Sequence, residues 1–115
     1  MITVASVAEE LAAEVIVRGD IKRPVKGCYI SDLLSDVMAR ATEGDLWITL
    51  QTHTNIVAVS IIKGISAIVL TNGRRPEEET AKRAEKEGMP ILVYQGSTFE
   101  AAGKVYLLLT GDKNR

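Results

Sequence analysis

The chain has 115 residues, of which 46% are hydrophobic and 25% charged, and its formal net charge is −1. These values are typical of one globular domain. A net charge of −1 gives no overall positive field that would attract nucleic acids or anionic membranes. The few aromatic residues are too scattered for a base-stacking platform. We therefore expect neither a nucleic-acid partner nor a membrane partner.

Cysteine use and the start of the chain point to a cytoplasmic protein. Cys28 is the only cysteine, which excludes an internal disulfide and fits a reducing compartment. Glu9, Glu10 and Glu14 interrupt the apolar residues of the first segment. This pattern predicts neither a signal peptide nor a membrane span there.

The first part of the chain predicts two helices and two strands. Ser6 and Glu9 have capping-box spacing, which predicts a helix from Ser6 through about Ala13. Residues 14–18 and 27–30 read as short strands, the first closed by the turn pair at residues 19–20. A second helix is expected between these strands and residue 44, with Ser31 or Ser35 as its cap and Gly44 at its end.

The centre of the chain predicts the fold class. Residues 46–49, 67–70 and 91–94 are short apolar runs rich in β-branched or aromatic residues, and helix-like sequence separates them. Strands joined by crossover helices pair in parallel. We therefore predict an α/β protein, a single domain over residues 1–115 with a parallel sheet and a βαβαβ core.

The two crossover helices differ in character. Residues 54–63 are almost wholly apolar and end at Gly64, so we expect this helix to be covered on more than one face, by the domain or by a partner subunit. The second has Pro76 at its first position, acidic residues 77–79 in its first turn, and Gly88 at its end. The spacing of Glu78 to Lys82, and of Glu79 to Arg83, predicts two ion pairs along it.

A second capping box, Ser97 with Glu100, predicts a last helix that continues through residues 104–109. Residues 111–115 read as a polar, frayed tail.

Three polar loops follow the central strands and would meet at the carboxyl end of the parallel sheet, where α/β proteins bind ligands. Each leads into a helix N-terminus, which is receptive to anions. We predict that they hold a small anionic ligand, a nucleotide or phosphate, through Gln51, Thr52, His53, Thr54, Asn72, Gly73, Arg74, Gly96, Ser97 and Thr98. The alternative is that these residues only build tight turns and caps.

The single histidine, the single cysteine and the glycine-containing segment of residues 96–104 do not predict a metal site, a nucleophile or a phosphate loop. His53 has no Cys, Asp or Glu at ligand spacing, so we predict no metal site, and no nearby carboxylate would orient it as a base. Cys28 reads as a buried small apolar residue. In residues 96–104 (GSTFEAAGK) six residues separate the glycines, and Val105 follows the lysine, so the pattern is not a phosphate loop. No cofactor is expected, and an enzyme is the less favoured class.

Residues 27–37 (GCYISDLLSDV) and 44–57 (GDLWITLQTHTNIV) resemble the DRTGG domain family, in particular its free-standing members. Residues 68–76 (IVLTNGRRP), 90–93 (PILV) and 97–99 (STF) fit the same family, so the likeness covers nearly the whole chain. The segment that gives the family its name is degenerate here, because residues 20–28 keep only Asp20, Arg23 and Gly27.

The resemblance implies an α/β module that accompanies other domains. Relatives sit beside CBS domains in regulatory pyrophosphatases and in some phosphotransacetylases, and the fold is similar to the N-terminal domain of HPr kinase. The family is taken as regulatory or dimerising, and no family catalytic residue can be placed on this chain. Free-standing members are sometimes labelled HPr serine kinases, but this sequence lacks that enzyme's phosphate loop.

Three functions stay open at this point. The first is a non-catalytic, homodimeric regulatory module that senses a nucleotide, with the apolar helix of residues 54–63 in the dimer surface. The second is a small enzyme acting on a phosphorylated metabolite through His53 and Arg74. The third is a structural domain that binds a protein partner, which uses the same kind of apolar surface as a dimer.

Overall fold

The computed structural model describes residues 1–111. Ten helices and strands follow one another in this order: α1 (Val4–Leu11), β1 (Glu14–Val17), β2 (Gly27–Ile30), α2 (Leu34–Arg40), β3 (Asp45–Thr49), α3 (Asn55–Lys63), β4 (Ala67–Leu70), α4 (Glu78–Glu87), β5 (Ile91–Val93) and α5 (Thr98–Thr110).

The strands form one sheet of order β1-β5-β4-β3-β2. Strands β2, β3, β4 and β5 are parallel to their neighbours, so the predicted α/β class and βαβαβ core are confirmed. Strand β1 runs antiparallel to β5. Because β1 runs in the opposite direction, it ends at the amino end of the parallel strands, and residues 18–26 can cross that end of the sheet to reach β2 on the far side.

That crossing segment is held by hydrogen bonds to successive loops. Asp20 N donates to Gly88 O at 3.0 Å and Lys26 N donates to Gly44 O at 2.9 Å. Between them, the Ser66 hydroxyl donates to Pro24 O at 2.6 Å. The loops before β5, β4 and β3 are thereby all hydrogen-bonded to this one crossing segment.

The helices cover the two faces unequally. One core lies under α2, α3 and α4 and includes Trp47, Ile56 and Ala84. The other lies under α1 and α5 and includes Leu11, Leu92 and Val105. The chain therefore changes face between β4, whose helix covers the first core, and β5, whose helix covers the second.

The first helix begins earlier than the sequence predicts. Its cap is Thr3, whose side chain accepts from Ser6 N, while the Ser6 side chain accepts from the Thr3 backbone. Ser6 is thus the third residue of the helix, and the predicted Ser6–Glu9 capping box is wrong. The helix also ends at Leu11, with Ala12 in the left-handed region.

Two other helix boundaries are corrections. Helix α2 starts after Leu33, without a side-chain cap, and ends at Arg40 rather than Gly44. The cause is the buried carboxylate of Asp45, which accepts from Thr42 N at 2.9 Å and turns the chain before β3. Helix α4 starts at Glu78 and not at Pro76, because Glu77 has an extended backbone with φ of −62° and ψ of 155° and is the N-cap. Its N–H donates to Thr52 O at 3.2 Å.

Several local predictions are confirmed. Gly64 and Gly88 end α3 and α4 with φ of 68° and 73°, and the Ser97–Glu100 capping box opens α5. The Glu78–Lys82 pair forms at 4.0 Å, whereas Glu79 and Arg83 form no ion pair in residues 1–111. The predicted tail at residues 112–115 lies outside the described residues.

Candidate functional site at the carboxyl end of the sheet

The loops at the carboxyl end are linked to one another in strand order. Asn72 N donates to Gly96 O at 2.8 Å and Gly73 N donates to Tyr94 O at 2.9 Å, which joins the loops after β4 and β5. Beneath them the hydroxyls of Thr71 and Thr98 lie 2.6 Å apart. The three predicted loops therefore lie at one end of the sheet, as the strand order requires.

The loops after β4 and β5 pack closely where the chain changes face. A Cβ on Gly73 would lie 2.7 Å from Gln95 Oε1, and one on Gly96 would lie 2.7 Å from the Tyr94 ring. These contacts and the backbone bonds between the loops fill the space between β4 and β5. Gly73, Gly96 and Thr98 therefore serve the packing of the two loops.

The loop after β3 is held from both sides. Thr52 O accepts from Glu77 N and, at 2.8 Å, from the Thr80 hydroxyl. On the other side the Gln51 side chain donates from Nε2 to Asp32 O at 2.9 Å. Gln51 and Thr52 thus have structural partners, and the loop presents the exposed His53 and Asn55 to solvent.

Asp32 is a residue of this end that the sequence reasoning did not select. Its Oδ1 accepts from the Thr49 hydroxyl at 2.8 Å and from Leu50 N at 2.7 Å. Since Asp32 is the second residue after β2, the rule that placed the other loops at the carboxyl end applies to it too. The sequence did not indicate that β2 lies beside β3, and this neighbourhood is what brings Asp32 to the loop after β3.

The four helices that begin at this end differ in the acidic residues of their first turns. The first turns of α2, α4 and α5 carry acidic residues: Asp36, Glu78 with Glu79, and Glu100. The first turn of α3 carries none, and its cap Thr54 makes no side-chain capping bond. An acidic side chain in the first turn of a helix competes with an anionic ligand there, and α3 is the one helix of the four without such a side chain.

The N-terminus of α5 shows the contrast. Ser97 accepts from Glu100 N at 3.1 Å, and Glu100 Oε1 accepts from Ser97 N at 3.0 Å. The bond from the Ser97 backbone, with a second from its hydroxyl, lowers the pKa of Glu100. Ser97 is therefore a cap, and this helix end is already paired with a carboxylate.

The two adjacent arginines have different surroundings. Arg75 makes a two-pronged ion pair with Glu14, with Nη1 to Oε1 at 2.8 Å and Nη2 to Oε2 at 3.2 Å. These bonds lower the pKa of Glu14 and raise that of Arg75. Arg74 is exposed and makes no ion pair within residues 1–111. Arg74 is thus the available cation next to the α3 loop.

His53 lacks the partners of a catalytic base. Its Nδ1 accepts from Asn55 N at 3.3 Å, and no carboxylate of the described residues bonds its ring. The same part of the chain contains no group of three metal-ligating side chains.

Cys28 is half-buried under α5, and burial, with the negative charge of Asp45, raises its pKa to about 12, which leaves the thiol unreactive at neutral pH.

A groove lies away from the predicted residues. It has a volume of about 650 Å³ between β2 and α5, and none of the predicted ligand residues lines it. Its walls include Cys28, Ile30, Phe99 and Tyr106. Within residues 1–111 no helix is long and apolar enough to cross a membrane.

The fold and this loop arrangement define a small α/β domain in which an exposed arginine lies in the loop next to a helix without acidic residues in its first turn. The chain belongs to the DRTGG domain family, whose model matches residues 6–108. No curated protein matches the chain.

A solved structure shares the fold. It contains the CBS and DRTGG domains of the regulatory region of Clostridium perfringens pyrophosphatase, complexed with its activator diadenosine tetraphosphate. The identity is 21% and the TM-score 0.69 over 86% of this chain. This chain spans 44% of that structure's chain, less than half its length.

The residues kept from the family's eponymous segment lie at the opposite end of the sheet. Arg23 Nη2 donates to Gly64 O at 3.1 Å, at the C-terminus of α3. A Cβ on Gly27 would lie 2.7 Å from Asp45 Oδ1. In this chain the segment ties loops together at the amino end and stays apart from the candidate site.

Proposed function

We propose that this chain is a non-catalytic, cytoplasmic regulatory module that forms a homodimer and senses a nucleotide or another small anion at the N-terminus of α3. The proposal rests on one observation: of the four helices that begin at the carboxyl end, α3 alone has no acidic residue in its first turn. Family membership supports a regulatory role, since the solved relative is itself a regulatory region bound to a nucleotide activator.

The ligand would meet a short segment and one neighbouring cation. His53, Thr54 and Asn55 supply ring, hydroxyl and amide groups at the start of α3, and Arg74 adds positive charge from the adjacent loop. Strands β3 and β4 pair directly, with Thr49 opposite Leu70, so the two loops leave the sheet side by side. The binding roles predicted for Gln51, Thr52, Asn72, Gly73, Gly96, Ser97 and Thr98 are narrowed in this proposal to positioning the loops.

The test is thermal unfolding against a panel of mono-, di- and dinucleotides, with and without magnesium. A ligand at about 100 times its dissociation constant stabilises by about 2.7 kcal/mol, which for a chain of this size raises Tm by on the order of ten degrees. The matched variants are Arg74→Ala and Arg75→Ala, which remove neighbouring arginines of which only Arg75 has an ion-pair partner in residues 1–111.

We expect the shift to vanish in Arg74→Ala and to persist in Arg75→Ala. A panel that moves Tm for no nucleotide, or a shift equally reduced in both variants, overturns the proposed site. Asn55→Ala then tests the α3 end separately from the arginine, with loss of the shift expected.

A homodimer is part of the proposal, and two surfaces can supply it. Helix α3 buries Ile56, Val57 and Val59 within the domain and leaves Ile61 and Ile62 exposed. More exposed apolar side chains surround β2 than lie on α3.

A further inference from the structure

The free side of β2 is bordered by exposed apolar side chains on both faces of the sheet. Ile30 on β2 is 45% exposed, Phe99 and Tyr106 on α5 are 86% and 67% exposed, and Leu33 before α2 is 64% exposed. The groove of about 650 Å³ runs between this strand and α5. Clustered apolar surface beside an unpaired strand marks an interaction site.

The opposite side of the sheet is protected differently. The Glu14–Arg75 ion pair lies at the first residue of β1, and the pairing of β1 with β5 is irregular between Val15 and Val17. Charges and irregular pairing hinder strand addition. The stretch Gly27–Ile30 has no charged or proline residue.

The direction of the backbone groups selects which residues of β2 can pair outward. Lys26 N donates inward to Gly44 O at 2.9 Å. Because alternate residues of a strand turn their N–H and C=O to opposite neighbours, Cys28 and Ile30 bond to β3. Gly27 and Tyr29 then direct their N–H and C=O groups to the free edge of the sheet. If another molecule covers this edge, those groups need hydrogen-bond partners.

We propose that a second copy of this chain pairs its β2 antiparallel to this one, about a two-fold axis centred on Cys28, to form a continuous sheet across the dimer. This inference rests on the homodimer of the proposed function and names its surface. A two-fold axis normal to the sheet keeps both α5 helices on one face. Opposed residues must then face the same side, so the axis passes through a residue. The two registers that pair three residues of Gly27–Ile30 are centred on Cys28 or on Tyr29.

Hydrogen bonding favours the register centred on Cys28. There Gly27 lies opposite Tyr29 of the partner subunit, twice by symmetry, and all the outward backbone groups of these residues pair. In the register centred on Tyr29, Gly27 would need Ser31 of the partner subunit. Ser31 is committed inward, because its N donates to Ile48 O at 3.3 Å and its C=O accepts from Trp47 Nε1 at 2.8 Å.

Charge also makes this surface complementary to itself. In the proposed register Lys26 lies opposite Ile30 of the partner subunit, with Asp32 of the partner subunit on the diagonal within reach of a long side chain. Lys26 makes no ion pair within residues 1–111, and Asp32 uses only Oδ1 in its bonds to Thr49 and Leu50. The aliphatic part of Lys26 would cover Ile30 while its ammonium meets the carboxylate.

The register is tested by engineered disulfides in a Cys28→Ser background. Non-hydrogen-bonded antiparallel pairs have Cα atoms about 4.5 Å apart, which is within the range of a disulfide. The double variant Lys26→Cys, Ile30→Cys should therefore oxidise to a covalent dimer. Its two cysteines cannot bridge within one chain, because four residues of strand span about 13 Å.

The control adds only Tyr29→Cys to the same Cys28→Ser background, which places cysteines opposite each other in the Tyr29-centred register alone. We expect a covalent dimer from the double variant and none from the control, with light scattering showing a dimer for the unmodified chain.

The variant Lys26→Glu tests the charge complementarity. The dissociation constant of the dimer should rise at least tenfold at low salt, because the new carboxylate then faces Asp32 of the partner subunit. The Tm at high dilution should be unchanged.

Each other outcome overturns the proposal in a distinct way. A covalent dimer from the control alone moves the register to Tyr29. A dimer without either disulfide, weakened by Ile62→Asp, moves the interface to α3. A monomer at high concentration overturns the dimer itself. None of these results touches the nucleotide shift and its loss in Arg74→Ala, so the sensing proposal stands or falls separately.

Discussion

Asp32 accepts a hydrogen bond from the backbone N–H of Leu50 at 2.7 Å and so fixes the start of the loop that leads into α3. The same carboxylate oxygen accepts from the hydroxyl of Thr49, which is 2% exposed. One side chain from the loop after β2 thereby holds the loop after β3, and the candidate anion site depends on that loop.

Replacement of Asp32 tests this link. Asp32→Ala leaves a buried hydroxyl and a backbone N–H without an acceptor, and we expect a loss of about 1–3 kcal/mol in the free energy of unfolding. Asp32→Asn keeps an acceptor oxygen and should lose less. Urea unfolding measures both, and equal losses in the two variants would show that the charge, rather than the acceptor, holds the loop.

The Glu14–Arg75 pair predicts a contribution to stability that depends on pH. Arg75 holds the pKa of Glu14 below 4.5, its ordinary value. A carboxyl whose pKa is lower in the folded state stabilises above its unfolded pKa, and that contribution is lost as pH falls through the folded value. Tm of Glu14→Gln should therefore lie slightly below that of the unmodified chain at neutral pH and converge with it in acid.

Both partners of that pair are largely exposed, so the effect should be small and should shrink in high salt. Glu10→Gln is the matched control, since Glu10 is an exposed glutamate without an ion pair in residues 1–111. A difference between Glu14→Gln and the unmodified chain that persists unchanged in acid would contradict the pairing.

Cys28 should react slowly with thiol reagents in the folded protein. Burial raises its pKa from 9.0 to about 12, so at about pH 8 the thiolate fraction falls on the order of a thousandfold below that of an ordinary cysteine. Labelling with a chromogenic disulfide should be slow in buffer and rapid in concentrated urea. Fast labelling of the folded chain would mean that β2 and α5 separate readily.

Two glycine substitutions should move stability in opposite directions. Gly19 has φ of +49°, and a Cβ there would lie 2.5 Å from Gly88 O and 2.8 Å from Pro90 N. Gly19→Ala should cost about 1–3 kcal/mol from the backbone conformation alone, with the overlap added. Gly103 lies inside α5, and a Cβ there meets nothing within 4 Å, so Gly103→Ala should gain about 0.5–1 kcal/mol.

Chemical unfolding of these two variants gives the comparison directly. A loss of stability in Gly103→Ala would indicate that another group packs against α5 at this position in solution. The dimer proposed through β2 brings a second α5 to the same face, so that variant should be measured at both low and high protein concentration.

The sequence by itself determined the elements and their order. Apolar β-branched runs, glycines that end helices at residues 64 and 88, and the Ser97–Glu100 capping box are local signals. Their physical causes lie within a few residues, so the α/β class and the parallel core followed from them. The helix starts at Val4 and Glu78 did not follow, because both ends are fixed by segments distant in sequence. Val4 N donates to Arg23 O, and Glu77 N donates to Thr52 O.

Only the tertiary structure decided which site residues are available. Glu14 and Arg75 are 61 residues apart, and Asp32 and Thr49 are 17 apart, so no local pattern pairs them. Those contacts occupy Arg75 and leave Arg74 exposed, and acidic first turns distinguish α3 from the other helices at the same end. The unpaired side of β2 is likewise a product of strand order, since a strand's own sequence does not state whether it lies inside a sheet or at its border.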